Sequence, residues 1–282
     1  MVDIHSALSL ATCSLKKNNI DTPRLDAEVI LSNVLKRDRV YLIAHSDYIL
    51  SEEEYKIFKD GIGKRIDGMP VAYIVGSKEF MSLNFETPIG VLIPRPDTEI
   101  LVENAISDCK KYDGNINIAD VCCGSGAIGI SIAKYIKNSY LTLIDISPTA
   151  YQTSIKNAKL NNVEDRVKVF LGDILYPVLD QKFDMIVSNP PYIETKIIDS
   201  LQREVKDYEP SIALDGGEDG LDFYSKITKQ AAVCLKDGGK LYFETGYNQA
   251  ENVTRIMAES NFKYIKVYKD LGGNNRCIAG IK

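Results

Sequence analysis

The N-terminal part of the chain carries apolar residues at helical spacing. Positions three and four residues apart lie on one side of a helix, so such stripes predict helices with one buried face. The first two stripes are Ile4, Ala7, Leu8, Ala11 and Leu15, then Leu25, Ile30, Leu31, Val34 and Leu35. A later stripe consists of Tyr55, Phe58, Ile62 and Ile66. Residues 1–70 are therefore expected to form a small all-helical domain.

Start signals accompany these stripes. Thr22 before Pro23 is typical of a helix cap followed by proline at the first helical position. Asp38 is a candidate cap for a short helix, and Ser51 with Glu54 three residues later predicts a capping box. Each predicted helix after the first thus begins at a residue that can satisfy free backbone N–H groups.

Residues 71–94 have a different pattern, in which β-formers alternate with other residues. They are Val71, Tyr73 and Val75, then Leu83 and Phe85, then Val91 and Ile93. Alternation with a period of two favours extended segments. This range is predicted to be a β-hairpin linker.

From residue 95 to 282, candidate strands alternate with candidate helices. The strand sequences are NINIADV, LTLID, VKVFLGD, FDMIVSN, GKLYFETG, YIKVYKD and RCIAGI. Helical patterns separate most of them, which predicts an α/β domain with a mostly parallel sheet covered on both faces. The last two strands follow each other without a helix, so they are expected to form an antiparallel hairpin at one edge.

Four consecutive strand ends carry glycine-rich or polar sequence. The segment around Gly124 follows the first strand, Asp145 ends the second, Asp173 follows the third and Asn189 follows the fourth. Ligands of doubly wound sheets bind outside the carboxyl ends of the strands. A single ligand crevice formed by all four ends is therefore predicted.

Composition excludes several classes of protein. The chain has 282 residues, of which 45% are hydrophobic and 26% charged, as in an ordinary globular protein. The longest apolar stretch, 121–133, is interrupted by glycines and too short for a membrane span, and the first residues lack a signal-peptide pattern. The six cysteines form no C-x-x-C pair, which favours reduced thiols in the cytoplasm and no metal site.

Charge argues against a nucleic-acid clamp. The net charge is -5, and residues 1–75 contain 10 basic and 11 acidic side chains. Proteins that grip nucleic acid usually have a strongly basic surface. We expect no direct nucleic-acid binding, no membrane association, and a monomer whose helical domain contacts a protein substrate.

The glycine turn and the acidic residues beyond it predict a nucleoside cofactor. Gly124, Gly126 and Gly129 follow a strand, and Asp145 follows at the distance expected for a ribose-binding carboxylate. A nicotinamide cofactor fits this pattern, and glycines that merely permit a tight turn would also produce it. Asp120 just before the turn favours a cationic amino-acid tail over a pyrophosphate, which points to S-adenosylmethionine. Asp173 and Ile174 are candidates for contact with the adenine.

The Asn189-Pro190-Pro191-Tyr192 turn predicts the substrate group. Two prolines after a strand can simply end it, but they also stiffen the turn and remove N–H donors. The Asn189 side-chain oxygen and the Pro190 carbonyl can then accept both hydrogens of a planar amino group, with Tyr192 covering it. The predicted target is an amide or the exocyclic amine of adenine or cytosine.

Further motifs resemble one family. The strings Ile93-Pro94-Arg95-Pro96-Asp97-Thr98-Glu99, Pro23-Arg24-Leu25-Asp26-Ala27-Glu28 and Tyr208-Glu209-Pro210 resemble those of the peptide chain release factor glutamine methyltransferases, PrmC or HemK. The resemblance implies a helical N-terminal recognition domain and a seven-stranded, Rossmann-like class I methyltransferase domain that uses S-adenosylmethionine. It also implies methylation of the glutamine N5 in the Gly-Gly-Gln motif of release factors, which modulates translation termination.

The resemblance also assigns the site residues. The implied cofactor-binding residues are Cys122, Cys123, Gly124, Ser125, Gly126, Asp145, Asp173, Ile174 and Asn189. The implied substrate-binding residues are Asn189, Pro190, Pro191 and Tyr192, of which Asn189, Pro190 and Tyr192 are the candidate catalytic residues. Arg95 and Glu99 are expected to shape the pocket. One departure is Cys122, where the family commonly has glycine. The alternatives are an adenine-N6 methyltransferase of DNA or RNA and a glutamine methyltransferase of a ribosomal protein.

Overall fold

The computed structural model describes residues 1–282 and divides into two compact units. The first, the helical unit, contains residues 1–77 and 202–208. The second, the sheet unit, contains residues 78–201 and 209–282. The domain boundaries predicted at residues 70 and 94 stay a prediction, because compactness alone does not define a domain.

The element bounds follow the chain. The helices are α1 (Ile4–Lys17), α2 (Pro23–Leu35), α3 (Arg39–Ala44), α4 (Glu52–Ile66), α5 (Val71–Val75), α6 (Glu99–Cys109), α7 (Ala127–Tyr135), α8 (Pro148–Leu160), α9 (Arg203–Lys206), α10 (Asp222–Cys234) and α11 (Ala250–Glu259). The strands are β1 (Val2–Asp3), β2 (Ile49–Leu50), β3 (Ser77–Phe80), β4 (Leu83–Glu86), β5 (Ile116–Val121), β6 (Ser139–Asp145), β7 (Val167–Leu171), β8 (Phe183–Ser188), β9 (Leu235–Glu244), β10 (Lys263–Lys269) and β11 (Asn275–Ile281).

The helical unit confirms most of the predicted helices and caps. The first apolar stripe is buried along α1, and Ser51 and Glu54 form the capping box of α4. The Asp38 carboxylate accepts a hydrogen bond from the Tyr41 N–H at 2.8 Å and caps α3. Asp3 caps α1 in the same way through Ser6, which the apolar pattern did not reveal.

Helix α2 differs from its prediction because charged residues occupy its buried face. Leu25 is 42% exposed, whereas Asp26 and Glu28 are buried. Thr22 does not cap the helix; its hydroxyl donates to Asp26 at 2.7 Å instead. The second Asp26 oxygen accepts from Arg65, so an ion pair replaces the apolar contact predicted for this face.

The short segment 202–208 is tied to the helical unit by side-chain contacts. Arg65 of α4 donates to Asp26 at 2.7 Å and to Glu204 of α9 at 2.8 Å. The Tyr208 hydroxyl donates to the Asp67 carbonyl at 3.0 Å. Arg65 therefore joins two acidic side chains that lie far apart along the chain.

The prediction for residues 71–94 is wrong at its start. Val71–Val75 forms helix α5, and Gly76 ends it in a left-handed conformation with φ +80°. The hairpin consists of β3 and β4 alone. Val91 and Ile93 are buried but belong to no strand. Alternating apolar residues in a five-residue segment were not enough to distinguish a strand from a short helix.

The seven-stranded sheet has the order β10-β11-β9-β8-β5-β6-β7. The pairs between β9, β8, β5, β6 and β7 are parallel, and the β10–β11 and β11–β9 pairs are antiparallel, as predicted for the last hairpin. Successive strands are added on one side of β5 up to β7 and then on its other side from β8, so the strand order reverses between β5 and β8, where ligands of such sheets bind.

Apolar side chains cover both faces of this sheet, as expected for parallel strands. Within β5, Ile118 belongs to one apolar cluster, and Ala119 and Val121 belong to the cluster on the opposite face. All six cysteines are free thiols. None of the helices has both the length and the apolar character that a membrane crossing requires.

The buried Arg65 pair gives a stability prediction for the helical unit. In Arg65→Met the buried Asp26 carboxylate loses its cation, so we expect a loss of about 3 to 5 kcal/mol in the free energy of unfolding. Urea denaturation followed by circular dichroism measures it. Lys64→Met is the matched control, since the Lys64–Asp60 pair is exposed and should contribute less than about 1 kcal/mol. Equal losses in the two variants would contradict the structural role of Arg65.

Candidate active site

One cavity lies at the carboxyl ends of β5, β6, β7 and β8, and encloses about 1140 Å³ of empty space including the part open to solvent. It brings together most of the residues predicted from the four strand ends. Those that line it are Cys122, Cys123, Gly124, Ser125, Asp145, Asp173, Ile174, Asn189 and Pro191. The predicted convergence on one crevice is thus observed, whereas the role of each residue stays a prediction.

Three of the predicted cofactor- and substrate-binding residues do not line the cavity: Gly126, Pro190 and Tyr192. Gly126 precedes α7 with φ +79°, and a Cβ there would lie 2.7 Å from the Ile130 Cδ1. The absence of a side chain at Gly126 therefore allows the turn to pack against α7. Pro190 is buried, and Tyr192 packs partly against the apolar cluster beneath the cavity.

The glycine turn after β5 uses left-handed backbone at three positions, Cys122, Gly124 and Gly126. Gly124 has φ +55°, and a Cβ at that position would meet no atom within 4 Å. The space beside the Gly124 Cα is therefore an open recess in which a ligand can approach the backbone of the turn. Cys122 has φ +59°, a conformation that glycine adopts without strain and that other residues adopt at a cost.

Asp145 links this turn to the next strand. Its Oδ2 accepts the Gly124 N–H at 2.8 Å, and its Oδ1 accepts the Ser147 N–H at 2.9 Å. A carboxylate has about four acceptor positions, so two remain for a ligand. Burial raises the pKa of Asp145, while the backbone hydrogen bonds oppose that change.

Asp120 lies behind the turn, and no part of it is exposed. Its Oδ2 accepts the Gly129 N–H at 2.8 Å, and its Oδ1 has no hydrogen-bond partner. Burial, with a smaller contribution from the charge of Asp145, raises the pKa of Asp120 to about 7. Asp120 does not line the cavity, so the attraction it was predicted to exert on a cationic ligand would act through the turn.

Asp173 and Ile174 form the wall beyond Asp145. Asp173 is exposed, and Ile174 is buried with φ +52°. A β-branched residue rarely adopts left-handed backbone, so this segment is strained. The strained conformation occurs at a residue that lines the cavity.

The Asn189 amide is anchored at one end. Its Nδ2 donates to the Thr98 hydroxyl at 3.3 Å, and no group of the chain donates to its Oδ1. The Pro190 carbonyl likewise accepts no hydrogen bond. Both oxygens predicted to receive a planar amino group are therefore unpaired.

Glu244, which ends β9, and Gln249 beyond it contact Tyr192 of this turn. The Tyr192 hydroxyl donates to the Glu244 Oε1 at 3.3 Å, and the Gln249 amide donates to the Tyr192 carbonyl at 2.9 Å. Burial raises the pKa of Tyr192, so its phenol stays protonated at neutral pH. Sequence reasoning missed both Glu244 and Gln249. Glu244 could have been found in the sequence, because it is an acidic residue at the end of the predicted strand GKLYFETG, which belongs to the same sheet.

Arg95 and Glu99 have different positions. Arg95 lines the cavity and pairs with the buried carboxylate of Glu209, which also accepts the Ile93 N–H at 3.4 Å. Glu99 does not line the cavity; its carboxylate accepts the Met81 N–H at 2.8 Å. The expectation that both shape the pocket is supported by the contacts of Arg95 only.

The backbone at Cys122 gives a second stability prediction. In Cys122→Gly, relief of left-handed strain of about 1 kcal/mol opposes the loss of a half-buried side chain. We expect the free energy of unfolding to change by less than about 1 kcal/mol. Cys123→Gly, the matched control, removes a buried side chain from backbone without positive φ and should cost about 2 kcal/mol. Urea denaturation of both variants measures the difference. A larger loss of unfolding free energy in Cys122→Gly than in Cys123→Gly would contradict left-handed strain at Cys122.

Family models match both the N-terminal and the C-terminal parts of the chain. Residues 6–76 match the PrmC N-terminal domain family, and residues 96–205 match the methyltransferase small domain family. A solved structure of a T. thermophilus 16S rRNA N2 G1207 methyltransferase, in complex with AdoMet and guanosine, has a TM-score of 0.54 and 15% identity. That match covers 73% of this chain and 49% of the other, and indicates a shared fold.

Curated relatives align along nearly the whole chain. A release factor glutamine methyltransferase of Clostridium botulinum is 45% identical over 270 residues, 95% of this chain and 95% of the relative. A protein of the same name from Clostridium acetobutylicum is 44% identical over 281 residues, 99% of this chain and 98% of the relative. The resemblance of the sequence motifs is confirmed: this chain belongs to the release factor glutamine methyltransferase family.

Proposed function

We propose that the protein transfers a methyl group from S-adenosylmethionine to the side-chain amide nitrogen of the glutamine in the Gly-Gly-Gln motif of peptide chain release factors. Two relatives that align along nearly the whole chain are named release factor glutamine methyltransferases. The solved rRNA methyltransferase of similar fold is a complex with AdoMet. Release factors act in translation, so the reaction belongs in the cytoplasm.

The cavity fits S-adenosylmethionine. The open recess at Gly124 admits a ligand against backbone, and the two remaining acceptor positions of Asp145 suit a ribose diol. Asp173 and Ile174 line the same cavity, and we assign them to the adenine because one can accept from its amino group and the other is apolar. Negative charge at Asp145 and the acidic Asp120 behind the turn favours a cationic ligand over a dinucleotide pyrophosphate.

The unpaired oxygens of Asn189 and Pro190 are the observation that carries the proposal. A primary amide has two N–H donors, and these oxygens can accept both. The anchoring of Asn189 to Thr98 leaves the acceptor end of its amide available, as methylation of an amide nitrogen requires.

When bound, the cofactor supplies an electrophilic methyl group on a sulfonium. The residues of the chain orient the nitrogen that receives it. An amide nitrogen becomes acidic only as its new bond forms, so no strong base is needed beforehand, and its proton is released to solvent after the methyl group has been transferred. Orientation of this kind can contribute about 7 to 11 kcal/mol to lowering a barrier. Tyr192, tied to Glu244 and Gln249, keeps the turn rigid.

Methylation of adenine in DNA or RNA is the second candidate, because its exocyclic amine has the same two donors. The net charge of -5 disfavours it, since nucleic-acid affinity depends on neutralising phosphates with basic side chains. Glutamine methylation of a ribosomal protein would use the same acceptor pair. The helical unit is our candidate surface for recognition of the release factor.

A substrate assay tests the proposed function. The protein is incubated with S-adenosylmethionine labelled in its methyl group and with a release factor, a ribosomal protein fraction, duplex DNA or structured RNA. We expect label in the release factor, and none in a release factor whose Gly-Gly-Gln glutamine is replaced by asparagine, because the shorter side chain withdraws the amide. Label in nucleic acid alone would defeat the proposal.

Two substitutions should separate cofactor binding from transfer. Asn189→Ala removes an acceptor for the substrate, so we expect kcat to fall about 100-fold or more while the Kd for S-adenosylmethionine stays within twofold.

Asp145→Ala removes a charged acceptor from the cofactor, so the Kd for S-adenosylmethionine should rise about 10- to 100-fold. Calorimetric titration and single-turnover rates measure both. Near-normal turnover in Asn189→Ala, or an unchanged Kd in Asp145→Ala, would remove that residue from its assigned role.

A further inference from the structure

The Asn189 side chain must be held in place if its oxygen is to orient a substrate amide. Its backbone belongs to the stiff turn after β8, but an asparagine side chain can still rotate between several conformations. The hydrogen bond from its Nδ2 to the Thr98 hydroxyl, at 3.3 Å, restricts that rotation. Thr98 is 4% exposed and lines the same cavity. The position of Thr98 therefore determines the position of the Asn189 amide.

Thr98 lies outside the sheet. It ends a 3₁₀ turn formed by Pro96–Thr98, the 96–98 turn, which leads into α6. The Thr98 N–H donates to the Arg95 carbonyl at 3.1 Å, which is a contact local to the turn, and Pro96 has no N–H to donate. The turn has no strand ladder like the one that fixes β8. Side chains are therefore needed to hold it against the rest of the sheet unit.

One ion pair anchors the chain just before the 96–98 turn. Arg95 pairs with Glu209, whose side chain is 1% exposed, and the same carboxylate accepts the Ile93 N–H at 3.4 Å. Glu209 thus holds two residues of the segment that leads into the turn. A carboxylate buried this deeply is stable only with compensating donors, so the loss of its charge should loosen the whole segment.

A second ion pair lies within the turn. The Asp97 carboxylate pairs with Arg276 of β11 at 3.0 Å. Arg276 is itself fixed, because it pairs with Asp270 at 3.4 Å and its carbonyl accepts the Thr245 N–H at 2.9 Å. The Asp97 side chain is 52% exposed, so this pair contributes less than the buried one. The two pairs hold the turn from both of its ends.

We propose that Glu209 and Asp97 are positioning residues that fix the 96–98 turn and thereby hold the Asn189 amide. The inference rests on the proposed transfer to an amide nitrogen. Neither carboxylate lines the cavity, so both act through the segment that they hold and through the Thr98 hydroxyl. Arg95, Asp97 and Thr98 of the family string thus share one role, because each makes one of these contacts.

Glu209→Gln and Asp97→Asn remove the two charges with little change of shape. A misplacement of about 1 Å at a reacting group can cost about 100-fold in rate. Because the second pair still holds the turn, we expect kcat for release factor methylation to fall about 10-fold in Glu209→Gln. The weaker pair predicts a fall of about threefold in Asp97→Asn. Single-turnover rates measure both, and wild-type rates in the two variants would overturn the inference.

Thr98→Val shows whether Glu209 acts through the proposed contact, because it removes the hydroxyl that holds Asn189. In that background Glu209→Gln should lower kcat by less than about twofold further. Independent sites contribute additively to the free energy, so their effects on rate multiply. A further loss of about 10-fold in the double variant would therefore overturn the inference.

Asp108→Asn is the matched control. Asp108 of α6 is 9% exposed, pairs with Lys111 at 2.6 Å and with Lys240, and does not line the cavity. Loss of its charge should lower the free energy of unfolding and leave kcat within about twofold of the wild type. Circular dichroism checks that each variant is folded. A fall in kcat equal to that of Glu209→Gln would mean that loss of any buried ion pair lowers activity, and would overturn the inference.

A measurement without substrate keeps this test separate from the proposed function. The side-chain amide resonance of ¹⁵N-labelled Asn189, assigned by its loss in Asn189→Ala, should shift or broaden in Thr98→Val and in Glu209→Gln. It should be unchanged in Asp108→Asn. A wild-type resonance in Glu209→Gln would overturn the inference even if the release factor is methylated. Absence of release factor methylation with the resonance changes present would instead overturn the proposed function alone.

Discussion

Burying a carboxylate costs free energy unless its oxygens receive hydrogen bonds, and this constraint organises the candidate active site. Asp120, Asp145 and Glu244 lie at or near the carboxyl ends of β5, β6 and β9, and each is held by donors from a different part of the chain. Asp120 and Asp145 fix the backbone of the glycine turn. Glu244 accepts the Tyr192 hydroxyl hydrogen behind the Asn-Pro-Pro-Tyr turn. The acidic residues thus determine the shape of the loops that form the cavity.

The sequence predicted what depends on local pattern. The stripe of α1, the capping box of α4 and the strand succession of the sheet each follow from residues close together in the chain. The carboxyl ends of parallel strands share one edge, so the glycine turn, Asp145, Asp173 and Asn189 could also be placed in one crevice. Adjacency in a sheet made this part of the site predictable.

The rest depended on contacts that no local pattern encodes. Thr98 and Asn189 are separated by 91 residues, and Tyr192 and Glu244 by 52. Val71–Val75 alternates like a strand but forms a helix, because a segment of five residues has too few positions to establish a period. Leu25 was assigned to the core on apolar character alone, while Asp26 took that place because Arg65 compensates its charge.

The distribution of the chain between the two compact units limits how the protein can be divided. The segment 202–208 belongs with the helical unit, although residues on both sides of it belong with the sheet unit. A gene fragment that begins at residue 78 would therefore still encode Glu204 and Tyr208, but it would lack their hydrogen-bond partners Arg65 and Asp67. The two units cannot be exchanged between relatives by a single splice. Any recombination that preserves both must transfer two separate pieces of sequence together.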